Sequence, residues 1–246
     1  MIVGSKTIFC KNLTSTNTYA ARLLKREKPQ EGTVIHTNYQ SAGKGQKGNR
    51  WESEDGKNLL FSIILYPGTV RPEDQFIILI AISLGICDFL NEHISGCKIK
   101  WPNDIYVNDD KIAGILIENS IKGKHIEATI AGIGLNINQV KFPREIANPV
   151  SLKMATGKDF DTGMCLKQLC TKLDKRYKKL LSGKISDLKK DYISFLYRSG
   201  EWHNFRTATG YLYGRIKGVT DSGSLQIEDQ WMKLHEFLFR EIEFML

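Results

Sequence analysis

Lys100-Trp101-Pro102-Asn103-Asp104-Ile105-Tyr106-Val107-Asn108-Asp109-Asp110-Lys111-Ile112-Ala113-Gly114 is the stretch that decides how the rest of the chain reads. Residues 98–101 have strand character and stop at Pro102, which lacks the N–H a ladder needs. Two polar residues follow where an apolar strand would run on, so something local is being positioned. Residues 105–107 and 112–118 then read as strands on either side of an Asn108-Asp109-Asp110 turn, and such a hairpin returns Lys111 close to Asp104. In a cleft, a Lys–Asp pair holds a phosphate and a metal ion, whereas on an open surface it contributes little. The residues of the hairpin alone do not separate these two.

Working outward, strands are expected over 7–10, 33–39, 58–66 and 126–136. Thr14-Ser15 supplies N-cap chemistry for a helix reaching about residue 27, and Pro72-Glu73-Asp74 opens the most hydrophobic helix, to about residue 92. After Pro149 the pattern turns helical, over 161–181 and 185–197. From Thr207 it becomes β-rich again, with short strands around the Thr220-Asp221-Ser222-Gly223 turn that suggest a small barrel or curled sheet. The expected fold is α+β: a mixed sheet flanked by helices in residues 1–198, followed by a small barrel-like β domain in 199–246.

The composition is that of an ordinary globular chain: 246 residues, 41% hydrophobic and 25% charged. That excludes disorder, and the longest apolar patch, residues 76–84, is too short for a membrane span. Residues 1–6 do not resemble a signal peptide, so a cytoplasmic protein is expected. The five cysteines form no CxxC pair and the five histidines no HxxxH or HxH, so neither a disulfide framework nor a zinc site is supported. The net charge of +8 is confined to residues 141–200, which carry 14 basic and 6 acidic side chains. Its densest part, Lys172, Lys175, Arg176, Lys178 and Lys179, interleaves with Leu166, Leu169, Leu173, Tyr177 and Leu180 at helical spacing. A nucleic-acid or acidic-partner surface is one reading of that helix; a solvated outer face is the commoner one and is ranked first.

Two glycine-bearing segments add to the hairpin. Gly43-Lys44-Gly45-Gln46-Lys47-Gly48, in a stretch with three basic residues and no acid up to Trp51, lets backbone N–H groups approach an anion, but it lacks the ending of a P-loop. An inert hairpin connection would look much the same. Gly132-Ile133-Gly134-Leu135-Asn136 ends a strand with two glycines, which mark either close approach of a ligand or a permitted bulge.

Together these segments resemble the biotin protein ligase family. The matching pieces occur in the family's order: Ser15-Thr16-Asn17, the loop from Gln40 to Trp51, the Lys-Trp-Pro-Asn-Asp element with Lys111-Ile112-Ala113-Gly114, and Gly132 to Asn136. They span the first 140 residues. The resemblance implies a class II synthetase-like catalytic domain that uses ATP to convert biotin to biotinyl-5'-AMP and then transfers biotin to a lysine of a biotin carboxyl carrier protein. It implies Lys111, Asp104 and Lys44 as catalytic residues. Ser15, Thr16, Gln40, Gly43, Lys44, Gly45, Lys111 and Gly114 are expected on biotin, and Lys47, Trp51, Lys111, Gly132 and Asn136 on ATP or the adenylate. Asp104 is also the candidate ligand for Mg2+.

The resemblance further implies a ligase-only form, since the residues before Ser15 are too few for a DNA-binding module; no DNA and no membrane partner are expected, and a homodimer stays open. The chain departs from the family's arginine-rich loop at Gln46 and Asn49, where lysine-like charge and the bidentate arginine fork are both absent, and retention of the adenylate is what that affects. Two other functions are kept: a lipoate or octanoyl ligase of the same superfamily, which lacks the Lys-Trp-Pro-Asn-Asp pattern, and a basic nucleic-acid-binding protein without catalysis.

Overall fold

The computed structural model describes residues 1–245; the side chain of Lys47 also lies outside the described residues. Seven strands form one mixed sheet: β1 (Thr7–Leu13), β2 (Thr33–Gln40), β3 (Leu59–Leu65), β4 (Cys97–Lys100), β5 (Asp104–Val107), β6 (Asp110–Lys122) and β7 (His125–Leu135). Their order is β1-β2-β3-β7-β6-β5-β4, with β1 and β2 parallel and every other pair antiparallel. β3 (LLFSIIL) is buried at every position. A strand reads as a continuous apolar run when both faces of its sheet are covered.

One cover is α1 (Thr16–Arg26), whose Ala20 packs on Ile35, Ile64 and Ile130. Its N-cap is Ser15, which accepts from the Thr18 N–H at 3.4 Å. The other cover is α2 (Phe76–Leu90), apolar nearly all round and therefore buried nearly all round. Pro72-Glu73-Asp74 forms a separate 3-10 turn just before α2. A short α3 (Leu152–Thr156) leads to α4 (Thr162–Leu181) and α5 (Ile185–Phe195), which pack against α2.

The basic run on α4 is not a bare solvated face. Arg176 is buried and makes a two-pronged contact with Asp88 of α2, at 2.6 and 2.7 Å, and also binds Asp191 of α5. Lys172 pairs with Glu92, Lys178 with Asp174 and Lys179 with Asp191. Arg176 and Lys179 thus tie α4 to α2 and α5, and Lys172 ties it to the turn that follows α2.

The tail forms β8 (Trp202–Thr207), β9 (Gly210–Val219), β10 (Leu225–Asp229), β11 (Leu234–Phe237) and β12 (Ile242–Phe244), in the antiparallel order β11-β10-β9-β8-β12. Of the two forms expected from the sequence, a small barrel or a curled sheet, the tail is the open sheet and not the barrel: β11 and β12 are the two outer strands, and among the described residues they do not pair with each other. The sheet has no need to close on itself. Its apolar residues Phe205, Ile216, Leu225, Ile227 and Ile242 belong to the same core as the large sheet and α2, so neighbouring elements cover that face. Among the described residues no helix is long and apolar enough to cross a membrane.

Candidate active site

Residues opposite one another on adjacent antiparallel strands point to the same face of a sheet. In this sheet Leu60, Gly134, Gly114, Asp104 and Lys100 pair in turn across β3, β7, β6, β5 and β4. A second row, two residues along, runs Ser62, Gly132, Leu116. Ile64, paired with Ile130, continues the same face under α1. Gly134, Gly114, Asp104 and Lys100 of the first row and Gly132 and Leu116 of the second line the floor of a cleft of about 310 Å3 at the N-terminal end of α1.

The glycines in this floor have definite occupants. A Cβ on Gly134 would lie 2.3 Å from the Trp51 ring and one on Gly114 2.9 Å from it, so the indole rests directly on the paired glycines. A Cβ on Gly132 would lie 2.2 Å from Asn17 Oδ1. Gly132, expected beside the adenylate, therefore makes room for Asn17.

Asn17 belongs to a buried polar network at the α1 end. The Thr16 N–H donates to Gln40 Oε1 at 2.8 Å, and Ser62 Oγ lies 2.7 Å from Thr16 Oγ1 and 2.6 Å from Asn17 Oδ1. Asn17 Nδ2 donates to Glu118 Oε2 at 2.7 Å, and Glu118 in turn faces Lys44 Nζ at 3.8 Å. Ser62 and Glu118 were not singled out by sequence, although a lone hydroxyl in the apolar run of β3 is a legible signal.

At the other end, the hairpin returns Lys111 to Asp104 as its pattern requires. Lys111 Nζ lies 2.7 Å from Asp104 Oδ1, with the side chains 30% and 26% exposed. Lys111 is anchored through its backbone, donating to Asn148 O at 2.7 Å and accepting from the Val150 N–H at 2.9 Å. Of the two polar residues after the Trp101-Pro102 break, Asn103 clips the turn to β6, donating to Ile115 O and accepting from the Ile115 N–H, while Asp104 faces the cleft.

The loop leading to Trp51 is a tight hairpin. Lys44 and Arg50 form an isolated bridge, Gly45 N–H donates to Asn49 O at 2.8 Å, and Trp51 N–H donates to Gly43 O at 3.1 Å.

Ser15, Thr16, Gln40, Lys44, Gly45, Trp51, Asp104, Lys111, Gly114 and Gly132 all line the cleft. Two expected residues do not. Gly43 lies under the Trp51 carbonyl, where a Cβ would meet the oxygen at 2.3 Å, and it borders an adjoining groove. Asn136 lines a side cavity of about 100 Å3 together with Trp51, Lys111, Phe142, Ile146 and Pro149. Its amide donates to Val150 O at 3.0 Å, while its Oδ1 is buried without a partner among the described residues, as is Trp51 Nε1. The expected role of Lys47 rests on a side chain outside the described residues.

The C-terminal unit also reaches the cleft, through residues that the sequence did not single out. Phe239 is part of its wall, edge-on to Trp101, and Trp101 Nε1 donates to Gly223 O at 2.8 Å. No group of three or more His, Cys, Asp or Glu gathers among the described residues.

The arrangement joins a buried hydrogen-bonding network at the end of α1 to a lysine–aspartate pair at the other end of one cleft. Comparison with known proteins agrees. The profile of the Biotin/lipoate A/B protein ligase family matches residues 9–136. The Bifunctional ligase/repressor BirA of Bacillus subtilis is 31% identical over 92% of this chain and 70% of its own length. The Biotin--[acetyl-CoA-carboxylase] ligase of Paracoccus denitrificans is 27% identical over 87% of this chain and 91% of its own. A solved structure, the biotin protein ligase of Aquifex aeolicus in complex with biotin and ATP, superposes with a TM-score of 0.79 at 27% identity, covering 97% of this chain and 98% of that one. The chain belongs to the Biotin/lipoate A/B protein ligase family and is a ligase of its biotin protein ligase branch.

Proposed function

We propose that this chain is an ATP-dependent biotin protein ligase that forms biotinyl-5'-AMP and transfers biotin to a lysine of a biotin carboxyl carrier protein. The observation that carries this reading is one cleft with the Thr16–Gln40–Ser62–Asn17 network at one end and the Lys111–Asp104 pair at the other. The network offers donors and acceptors to the ureido ring of biotin, and the cationic end faces its carboxylate.

In the first step a biotin carboxylate oxygen attacks the α-phosphorus of ATP, and the bond to the bridging oxygen breaks to release pyrophosphate. No protein nucleophile is needed. Two anions must be held together while charge builds on the phosphoryl oxygens, which Lys111 and Lys44 offset. The adenine packs on Trp51, with its 6-amino group toward the unpartnered Asn136 Oδ1. Mg2+ would be held mainly by the ATP phosphates with Asp104 as a single carboxylate, and it would neutralise charge there.

In the second step a neutral carrier lysine attacks the acyl carbon and AMP leaves, with Asp104 positioned to take the amine proton. Residues 1–198 are proposed as the catalytic unit and 199–246 as a C-terminal unit that walls the cleft through Phe239.

The test is pyrophosphate–ATP exchange with biotin, with lipoate and with neither acid, for the wild type and Lys111→Ala. Exchange that requires biotin and falls about 100-fold or more in the variant supports the proposal. Exchange driven by lipoate, or by neither acid, overturns it.

A further inference from the structure

The cleft holds one half-buried cation that nothing above uses. Lys44 faces Glu118 and Lys111 faces Asp104, but among the described residues Lys100 has no carboxylate within ion-pair distance. Its ammonium donates to Tyr106 OH at 3.1 Å and lies in a box of three aromatic rings, with centroids at 4.6 Å (Tyr106), 5.3 Å (Phe244) and 5.9 Å (Tyr197). These rings come from β5, β12 and the segment after α5, so both sheets build the box.

A cation held against aromatic faces keeps part of its stabilisation when desolvated, but burial without a counter-ion still costs free energy. That cost falls when an anion enters the cleft. Burial lowers the Lys100 pKa, with nearby Arg198 and Lys111 acting in the same direction and Asp104 and Asp109 opposing them.

Position along the sheet says which anion. The row Gly134, Gly114, Asp104, Lys100 starts beneath Trp51 and ends at Lys100, one strand at a time. Strands lie about 4.8 Å apart, which puts Lys100 roughly 10 Å from Gly114. A nucleotide with its base at Trp51 and its α-phosphate at Lys111 and Asp104 extends its remaining phosphates toward this last position.

We infer that Lys100 binds the β- and γ-phosphates of ATP and holds the charge of the departing pyrophosphate. This rests on the adenylation reading above. As the α-phosphorus–oxygen bond breaks, its electron pair stays on the pyrophosphate, and Lys100 offsets that charge without transferring a proton. A preorganised cation aimed at developing charge in a water-poor site is the arrangement that lowers a barrier most.

The experiment compares wild type, Lys100→Met and Lys100→Arg in two assays. The first is biotin-dependent pyrophosphate–ATP exchange, with separate KM values for ATP and biotin and with inhibition by added pyrophosphate and by AMP. The second is transfer from synthetic biotinyl-5'-AMP to a biotin carboxyl carrier domain, which involves no pyrophosphate. Lys100→Met is expected to lose about 100-fold in kcat/KM for ATP and to be inhibited less by pyrophosphate, with AMP inhibition and transfer unchanged. Lys100→Arg is expected to recover most of the exchange. Unchanged exchange in Lys100→Met, a parallel loss of transfer, or no recovery with arginine would overturn the assignment. Absence of biotin-dependent exchange in the wild type would instead overturn the underlying reading, so the two failures are distinguishable.

Discussion

Gly132 and Gly134 sit two residues apart on β7 and face the same way, yet filling each should damage a different half of the cleft. A Cβ at Gly134 would lie 2.3 Å from Trp51 Cε2 and 2.6 Å from both Cδ2 and Nε1. Carbon contacts begin near ~3.5 Å, so the rigid indole must retreat by about 1 Å. Misplacing a substrate-positioning group by about 1 Å costs up to roughly 100-fold in rate, or about 2.7 kcal/mol at 1.36 kcal/mol per tenfold. In Gly134→Ala that loss is expected in kcat/KM for ATP. At Gly132 the new Cβ meets Asn17 Oδ1 at 2.2 Å and disturbs the Ser62–Asn17 contact. Gly132→Ala should therefore raise KM for biotin, with a smaller effect on ATP. The assay is steady-state exchange with each substrate varied in turn, alongside thermal melts to establish that both variants fold. Reversed effects, or equal losses toward both substrates in both variants, would show that the two glycines do not partition the cleft in this way.

Replacing Arg176 with Met leaves Asp88 without its ion-pair partner among the described residues and Asp191 with Lys179 alone, and urea unfolding should show a loss of about 3 kcal/mol; a loss near zero would mean that solvent screens the network. Burial alone would push the Asp174 carboxyl up, but hydrogen bonds from Lys178 and from the Ile2 and Val3 backbone outweigh it and hold the pKa below the usual value. A depressed pKa adds stability that is present above the unfolded value near ~4 and is lost as pH falls through the folded one, so Asp174→Asn should flatten the drop in urea midpoint between about pH 5 and pH 2. ATP should support adenylation and GTP should not, because the 6-oxo group of guanine would oppose Asn136 Oδ1 where an amino group donates to it; comparable exchange with GTP counts against the adenine site. Introducing arginine at Gln46 and Asn49, which line the cleft, adds donors worth about 1.5–3 kcal/mol each to a charged group and should slow release of labelled biotinyl-AMP by about tenfold or more; an unchanged rate would mean that the loop does not hold the adenylate.

Local chemistry made the large sheet legible. The strand expected over 33–39 is Thr33–Gln40, the one over 126–136 is His125–Leu135, and Ser15 caps α1 as its position implied. The Pro102 break and the Asn-Asp-Asp turn were enough to bring Lys111 to Asp104. What stayed hidden depends on residues far apart in the chain. Nothing near Arg176 announces that Asp88 is its partner, and nothing near Phe239 announces Trp101. The sequence left a barrel and a curled sheet both open for the tail for the same reason: short strands and turns specify the sheet locally, but whether it closes depends on what covers its inner face, and here that is the core shared with α2.

The unpartnered atoms of the site tie its local and long-range parts together. Trp51 Nε1, Gln46 Oε1 and Asn136 Oδ1 are all buried without hydrogen-bond partners among the described residues, and each such atom costs about 1–3 kcal/mol. Two of them belong to the 43–51 segment and its closing tryptophan, and the third lines the cavity beside that tryptophan. The loop is nevertheless held by backbone bonds between Gly45 and Asn49 and between Gly43 and Trp51. A segment held in that form with unmet donors and acceptors gains more from a ligand that supplies the missing partners than a fully satisfied loop would. Lys100 follows the same logic in charge rather than hydrogen bonding. The floor glycines admit Trp51 and Asn17, the tail supplies part of the aromatic box, and of the uncompensated groups Gln46, Trp51 and Lys100 line the cleft while Asn136 lines the cavity beside Trp51.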